Sequence, residues 1–166
     1  TDYDYIKQID YDYFEQKTYM KYGNNTETFY TYSPQQRRLQ NLKVKTASGQ
    51  NMFNNVYSYD KVGNVTKVIN DATYNTTNYM GGIYNNDYTY DNLNRLAGAK
   101  GSFTGFISKW TRQKKKSYDL KMSYNTTHGI THKKQTHITQ GYLPISENTY
   151  ANNYKYDTGT HKVVEI

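Results

Sequence analysis

Three histidines within ten residues, His128, His132 and His137, are the first groups in the sequence able to do chemistry, because clustered imidazoles can hold zinc. On an extended strand His128 and His132 would share a face and His137 would point the other way. No carboxylate stands beside them to complete or orient a ligand set, so they read as surface histidines. The pairs Asp2/Asp4 and Asp10/Asp12 come nearest to a calcium loop, and they lack the glycine such a loop turns on. The segment Lys109-Trp110-Thr111-Arg112-Gln113-Lys114-Lys115-Lys116 joins the only tryptophan to five cations, as a nucleic-acid surface would. It reads instead as a solvated loop between structural units, whose lysines guard a sheet edge or attract an acidic partner. No nucleophile–base pair, phosphate loop or paired-carboxylate arrangement stands out. The chain is therefore read as no enzyme, with no catalytic residue, cofactor or metal site assigned.

The elements that position these groups are strands. Leu, Ile, Val and Phe supply 27 of 166 residues, a fraction that usually signals disorder. Two features oppose it. The net charge is only +7, and 21 tyrosines are available as packing material, each ring removing about 150–250 Å² from water when buried. A phenol keeps a wet end, which suits a thin sheet with one face near water better than a thick dry core. Cysteine is absent, which excludes a disulfide framework and thiolate metal sites. No apolar run is long enough to span a membrane as a helix. Tyr, Thr, Val and Ile recur in short alternating runs, and no stretch holds an apolar period of 3.6 residues.

One register repeats. Tyr30-Thr31-Tyr32-Ser33 leads through Pro34-Gln35-Gln36-Arg37-Arg38 to Leu39, and Tyr57-Ser58-Tyr59-Asp60 leads through Lys61-Val62-Gly63-Asn64 to Val65. Tyr88-Thr89-Tyr90-Asp91 leads through Asn92-Leu93-Asn94-Arg95 to Leu96, and Tyr154-Lys155-Tyr156-Asp157 leads through Thr158-Gly159-Thr160-His161-Lys162 to Val163. A weaker copy, Met122-Ser123-Tyr124-Asn125, leads to His128-Gly129-Ile130. The second tyrosines stand at 32, 59, 90, 124 and 156, with gaps of 27, 31, 34 and 32 residues. Two tyrosines at i and i+2 anchor one strand face, and the following Asp, Ser or Asn accepts amide hydrogen bonds in a turn. Gly63 and Asn64, or Asn94, are expected to take positive φ, and Leu39, Val65, Leu96 and Ile130 to begin return strands facing the core. Gly63→Val is accordingly expected to cost more than a typical surface change.

The stretch Tyr57–Val65 resembles the YD-repeat pattern Y-x-Y-D-x-x-G-N-L, and Tyr88–Leu96, continuing into Ala97-Gly98-Ala99, resembles the RHS variant Y-x-Y-D-x-L-N-R-L. The family includes bacterial RHS and polymorphic toxins, B and C components of insecticidal toxin complexes, and teneurin shells. The resemblance implies a strip of β-hairpins that spirals into a hollow shell and, in bacterial members, encloses a C-terminal toxin. It also implies a core-associated segment rich in Asp-Pro and Gly; this chain has no Asp-Pro pair, so it reads as shell wall alone.

The expected fold is all-β: one strip of antiparallel hairpin repeats spanning residues 1–166, with a Tyr-rich lead-in over 1–27 and about five degenerate repeats over 28–164. The expected function is structural, in a secreted or surface-associated protein. Its partners would be the remaining segments of the same shell and an enclosed toxin or other protein cargo, with no nucleic acid. A Tyr-rich repeat face binding glycan or another protein is the alternative. Four matches to the N-glycosylation pattern, at Asn24, Asn64, Asn75 and Asn125, are read as chance in an Asn- and Thr-rich chain.

Overall fold

The computed structural model describes residues 4–75, 77, 80–105, 114–139 and 148–166. Short alternating runs become strands wherever β-branched and aromatic residues cluster, and each strand stops at a polar turn. Eleven of them form one sheet in the order of the sequence: β1 (Ile6–Tyr11), β2 (Lys17–Tyr22), β3 (Glu27–Tyr32), β4 (Leu39–Lys45), β5 (Asn51–Tyr59), β6 (Val65–Asn70), β7 (Ile83–Tyr90), β8 (Leu96–Gly105), β9 (Lys114–Tyr124), β10 (Ile130–Thr139) and β11 (Tyr150–Asn153). A final hairpin pairs β12 (Lys155–Tyr156) with β13 (Val163–Glu165). Each pair is antiparallel, and within the eleven-stranded sheet each strand neighbours the next in sequence, so that sheet is an up-and-down meander. No helix among the described residues is long and apolar enough to cross a membrane.

The sheet is one layer thick. Among the described residues the buried apolar side chains are Met20, Val44, Ala72 and Ala99. Antiparallel pairing puts opposed residues on the same side, and the register separates two faces. Tyr57 opposes Val68, and Tyr88 opposes Ala99, which opposes Leu120; this is the tyrosine face. The other face carries cross-strand ion pairs: Lys21–Glu27 at 3.6 Å, Lys67–Asp87 at 3.5 Å and Lys100–Asp119 at 3.4 Å. In β5 and β7 the alternation is plain, with Tyr57, Tyr59, Tyr88 and Tyr90 half-buried while Ser58 and Thr89 are exposed.

Two sheet edges run perpendicular to the strands. Along one lie the turns 12–16, 33–38, 60–64, 91–95 and 125–129, which connect each odd-numbered strand to the next even one. Along the other lie the connections 23–26 and 46–50 and the described residues of the connection between β6 and β7. The lead-in expected to lack a clean motif supplies β1, β2 and a turn of the same kind as the others. The basic cluster expected in a loop is divided: Lys114, Lys115 and Lys116 begin β9, and Lys109, Trp110 and Arg112 lie outside the described residues.

Candidate functional site

The turn at Asp60 shows how each unit closes. The Asp60 amide donates to the Asn64 carbonyl at 3.0 Å, and the Gly63 amide donates to the Asp60 carbonyl at 3.3 Å. This is a three-residue hairpin loop whose last residue must take the left-handed conformation. Gly63 does so at φ 107°, and Asn94, His128 and Glu15 occupy the same position at 58°, 65° and 64°. Asn64 does not: positive φ falls only on Gly63 in this turn. Asn64 acts through its side chain instead, donating to Asp60 Oδ2 at 2.8 Å and to Asn94 Oδ1 of the next turn at 2.9 Å. Asp157 closes a longer turn in which Gly159 takes φ 74°.

The motif carboxylates work as turn clamps. Asp60 Oδ1 accepts amides from Val62, Gly63 and Asn64 at 3.0, 2.8 and 2.8 Å. Asp91 accepts from Leu93 and Arg95, and Asp12 accepts from Phe14 and Gln16. Asn125 repeats the arrangement without a charge, accepting from Thr127 and Gly129. Partial burial opposes ionisation of Asp60, yet the hydrogen bonds from Asn64, Gly63 and Val62 outweigh it and hold its pKa below the ordinary value. At Asp91 the amide and guanidinium of Arg95 bring about the same lowering against burial.

A tyrosine hydroxyl staples each unit to the one before. In every hairpin of the motif the second tyrosine sits at a register shift just inside the turn, where a bulge re-aims the side chain. Tyr32 donates to the Lys17 carbonyl at 2.9 Å, Tyr59 to Leu39 at 2.7 Å, and Tyr90 to Val65 at 2.9 Å. Tyr124 donates to Leu96 at 2.8 Å and Tyr156 to Ile130 at 2.9 Å. The acceptor is always the first residue of the preceding return strand. Burial keeps the Tyr32, Tyr59 and Tyr90 phenols above their ordinary pKa, so they stay protonated donors. The first tyrosines, Tyr30, Tyr57, Tyr88 and Tyr154, are half-buried on the same face and make no such staple.

The turns also join sideways. Arg37 pairs with Asp12 at 3.1 Å and caps the Phe14 ring at 3.3 Å. Arg38 Nη1 donates to the Asp60 carbonyl at 3.0 Å. Arg95 binds Asp91 at 2.7 Å and reaches the Asn125 carbonyl at 3.2 Å. The clamp at Asp12 and these arginine ties escaped the sequence reading. Tyr11-Asp12, placed 21 residues before Tyr32, was the signal for the first; Ile9 stands where the unit's first tyrosine would be.

The histidines do not converge. His128 lies in a turn rather than on a strand, with Nδ1 3.3 Å from Arg95 Nη1. His132 meets Asn153 at 2.7 Å on the charged face, and His137 meets Asn148 at 3.3 Å on the tyrosine face. Among the described residues no group of three or more His, Cys, Asp or Glu is placed to hold a metal ion. Asp10 accepts from Gln8, and Asp2 lies outside the described residues.

Comparison with known proteins follows the same lines. No family model matches the chain. Over 104 residues the chain is 32% identical to toxin subunit YenC1 of Yersinia entomophaga, a match covering 58% of this chain and 10% of that protein. Toxin subunit YenC2 of the same organism is 34% identical over 104 residues with the same coverage. The chain thus aligns with about a tenth of the length of these relatives. Among solved structures, the crystal structure of TcdB2-TccC3-Cdc42 superposes with a TM-score of 0.76 at 25% identity, over 96% of this chain and 8% of that one. The Photorhabdus luminescens Tc holotoxin pore carrying TccC3-D651A gives 0.75 at 26% identity, over 96% of this chain and 8% of that one. The chain is thus similar in sequence to these toxin subunits and in fold to these Tc toxin structures, and its recurring Tyr-x-Tyr-Asp hairpin resembles the YD repeat of the RHS type.

Proposed function

We propose that this chain is a wall segment of a larger RHS-type shell that encloses a protein cargo such as a toxin, in a secreted or surface-associated protein. The observation that carries the reading is the tyrosine staple, made five times onto the first residue of the preceding return strand. Such a device fixes each hairpin against its neighbour and builds a sheet of constant register. Tyr57, Tyr59, Asp60, Gly63, Tyr88, Tyr90, Asp91, Arg95, Tyr154, Tyr156 and Asp157 hold the wall together on this reading. A single-layer sheet needs something against its tyrosine face, and an enclosed volume supplies it. The relatives and structural neighbours are toxin-complex proteins, which favours the same role.

Electron cryo-microscopy of the assembly that contains this chain tests the proposal. The expected result is a closed wall with the tyrosine face turned inward onto enclosed density. An open strip with those tyrosines in bulk solvent would overturn it and favour a glycan- or protein-binding face.

A further inference from the structure

Strand β1 carries every part of the repeat except an acceptor for its staple. Tyr11 ends β1 at a register shift just before the Asp12 turn. Tyr32, Tyr59, Tyr90, Tyr124 and Tyr156 hold the same place in their units, and those five rings are half-buried and bonded. Tyr11 is 58% exposed, and its hydroxyl has no hydrogen bond among the described residues. β1 pairs with β2 alone, so the amides and carbonyls of its far side form an open sheet edge.

The hairpin β12–β13 presents the complementary parts. Val163 is the first residue of its return strand, the position whose carbonyl takes the staple in the other units, and no described tyrosine reaches it. A second tie starts one residue earlier, where the side chain just ahead of a return strand reaches the next turn. Gln16 donates to the Arg37 carbonyl at 3.0 Å, Arg38 to Asp60, Asn64 to Asn94 and Arg95 to Asn125. Gly129 has no side chain to reach with, and Lys162 holds this position ahead of β13. Lys155 pairs with Glu165, whereas Lys162 has no carboxylate among the described residues. The turn beside β1 offers Asp12 and the exposed Glu15. Apolar surface stands open on both parts, at Ile6 and Tyr11 on β1 and at Val163 and Val164 on β13.

We infer that β1 docks the β12–β13 hairpin of a second copy of this chain, head to tail, with β13 laid antiparallel beside β1. The Tyr11 hydroxyl of one copy then donates to the Val163 carbonyl of the other, and Lys162 meets the acidic Asp12 turn. The junctions inside the chain fix the register. The residue two past each acceptor opposes the residue three before the stapling tyrosine: Tyr19 and Phe29, Asn41 and Val56, Lys67 and Asp87, Gly98 and Lys121, His132 and Asn153. The same rule sets Glu165 opposite Gln8. Main-chain bonds along the added strand give affinity, and the staple and Lys162 select the partner. The two surfaces differ, so the contact is heterologous and propagates to species beyond a dimer. The inference goes beyond the wall reading and does not depend on it.

The test is sedimentation velocity of the chain over a range of concentrations. The expected result is a mass that rises with concentration and passes that of a dimer. Tyr11→Phe weakens association about five-fold, the loss of one neutral hydrogen bond. Tyr11→Ala weakens it about ten-fold by removing the ring as well. Lys162→Glu weakens it about ten-fold by setting like charges together, and Lys61→Glu, in a turn inside the sheet, leaves it unchanged. Tyr11→Ala and Lys162→Glu block opposite surfaces, so an equimolar mixture of the two forms a heterodimer and nothing larger, which also shows that both variants are folded. A chain that stays monomeric throughout overturns the inference. So does a closed dimer, association indifferent to Tyr11→Ala, or a mixture that fails to recover the heterodimer.

Discussion

The two long edges of the sheet are built on different terms. Along the turn edge, the loops 12–16, 60–64, 91–95 and 125–129 have one length and one left-handed position, and only 33–38 is longer by a residue. Along the opposite edge, 23–26 and 46–50 are tight while 71–82 runs to twelve residues. The turn edge is held by clamps within each turn, ionised at Asp12, Asp60 and Asp91 and neutral at Asn125, and by staples and arginine ties that reach into the neighbouring unit. The tight turns of the other edge use neutral caps, Asn24 Oδ1 to the Thr26 amide at 3.0 Å and Thr46 Oγ1 to the Gln50 amide at 3.2 Å. Where every unit leans on the next, an extra residue disturbs two units at once. Where turns stand alone, length is free to vary.

An insertion breaks this comparison most directly. Gly-Ser placed after Val62 should lower the thermal midpoint by far more than the same insertion after Thr77, where lengthening a twelve-residue connection costs only about 0.1 kcal/mol of loop entropy. Equal midpoints would show that the turn edge is not the constrained one. Next in size is Gly63→Val, expected to cost about 1–3 kcal/mol for a β-branched residue at positive φ. An added Cβ there would also lie 2.9 Å from Arg38 Nη2, whereas Gly49 on the other edge, at φ 84°, has nothing within 4 Å. Gly49→Val should therefore cost less than Gly63→Val in a urea titration.

Smaller effects separate the two tyrosines of a unit. Tyr90→Phe removes the hydroxyl that reaches Val65 and should cost about 1 kcal/mol. Tyr88→Phe removes a hydroxyl that staples nothing, and its midpoint should stay close to that of the parent. The gentlest test is acid. The folded pKa values of Asp12, Asp60 and Asp91 lie below the ordinary 3.8, so their clamps contribute fully above that value. The contribution is lost as pH falls through the lowered folded values, because the unfolded chain takes up protons first. Unfolding measured from pH 6 to pH 3 should steepen below about 4, and the slope should flatten in a variant carrying Asp60→Asn and Asp91→Asn. An unchanged slope would mean that other carboxylates set the acid limit.

Much of the fold was legible because one repeat writes its own strand ends. β3, β5, β7, β9 and β12 stop at the second tyrosine, and β4, β6, β8 and β10 start at Leu39, Val65, Leu96 and Ile130. The hairpin at Asp12 was hidden because Ile9 replaces one anchor ring, and pattern matching weighs identity where the sheet needs only an apolar side chain. The staples were not legible as bonds. A phenol at i and one at i+2 look alike in sequence, and only the bulge beside the turn aims the second at a carbonyl 15–28 residues away. Lateral ties such as Arg38 to Asp60 depend on which turn becomes the neighbour, which no local pattern contains. Asn64 was misread because asparagine suits both positive φ and side-chain donation, and Gly63 had already taken the first role.

The staples also give the array a direction in time. Every hydroxyl reaches backward, to a carbonyl that precedes it in the chain by 15 to 28 residues. A ribosome releases the acceptor strand before the donor tyrosine, at about 5–20 residues each second. Each hairpin therefore emerges onto a partner already in place, and the growing sheet presents one fresh edge at a time.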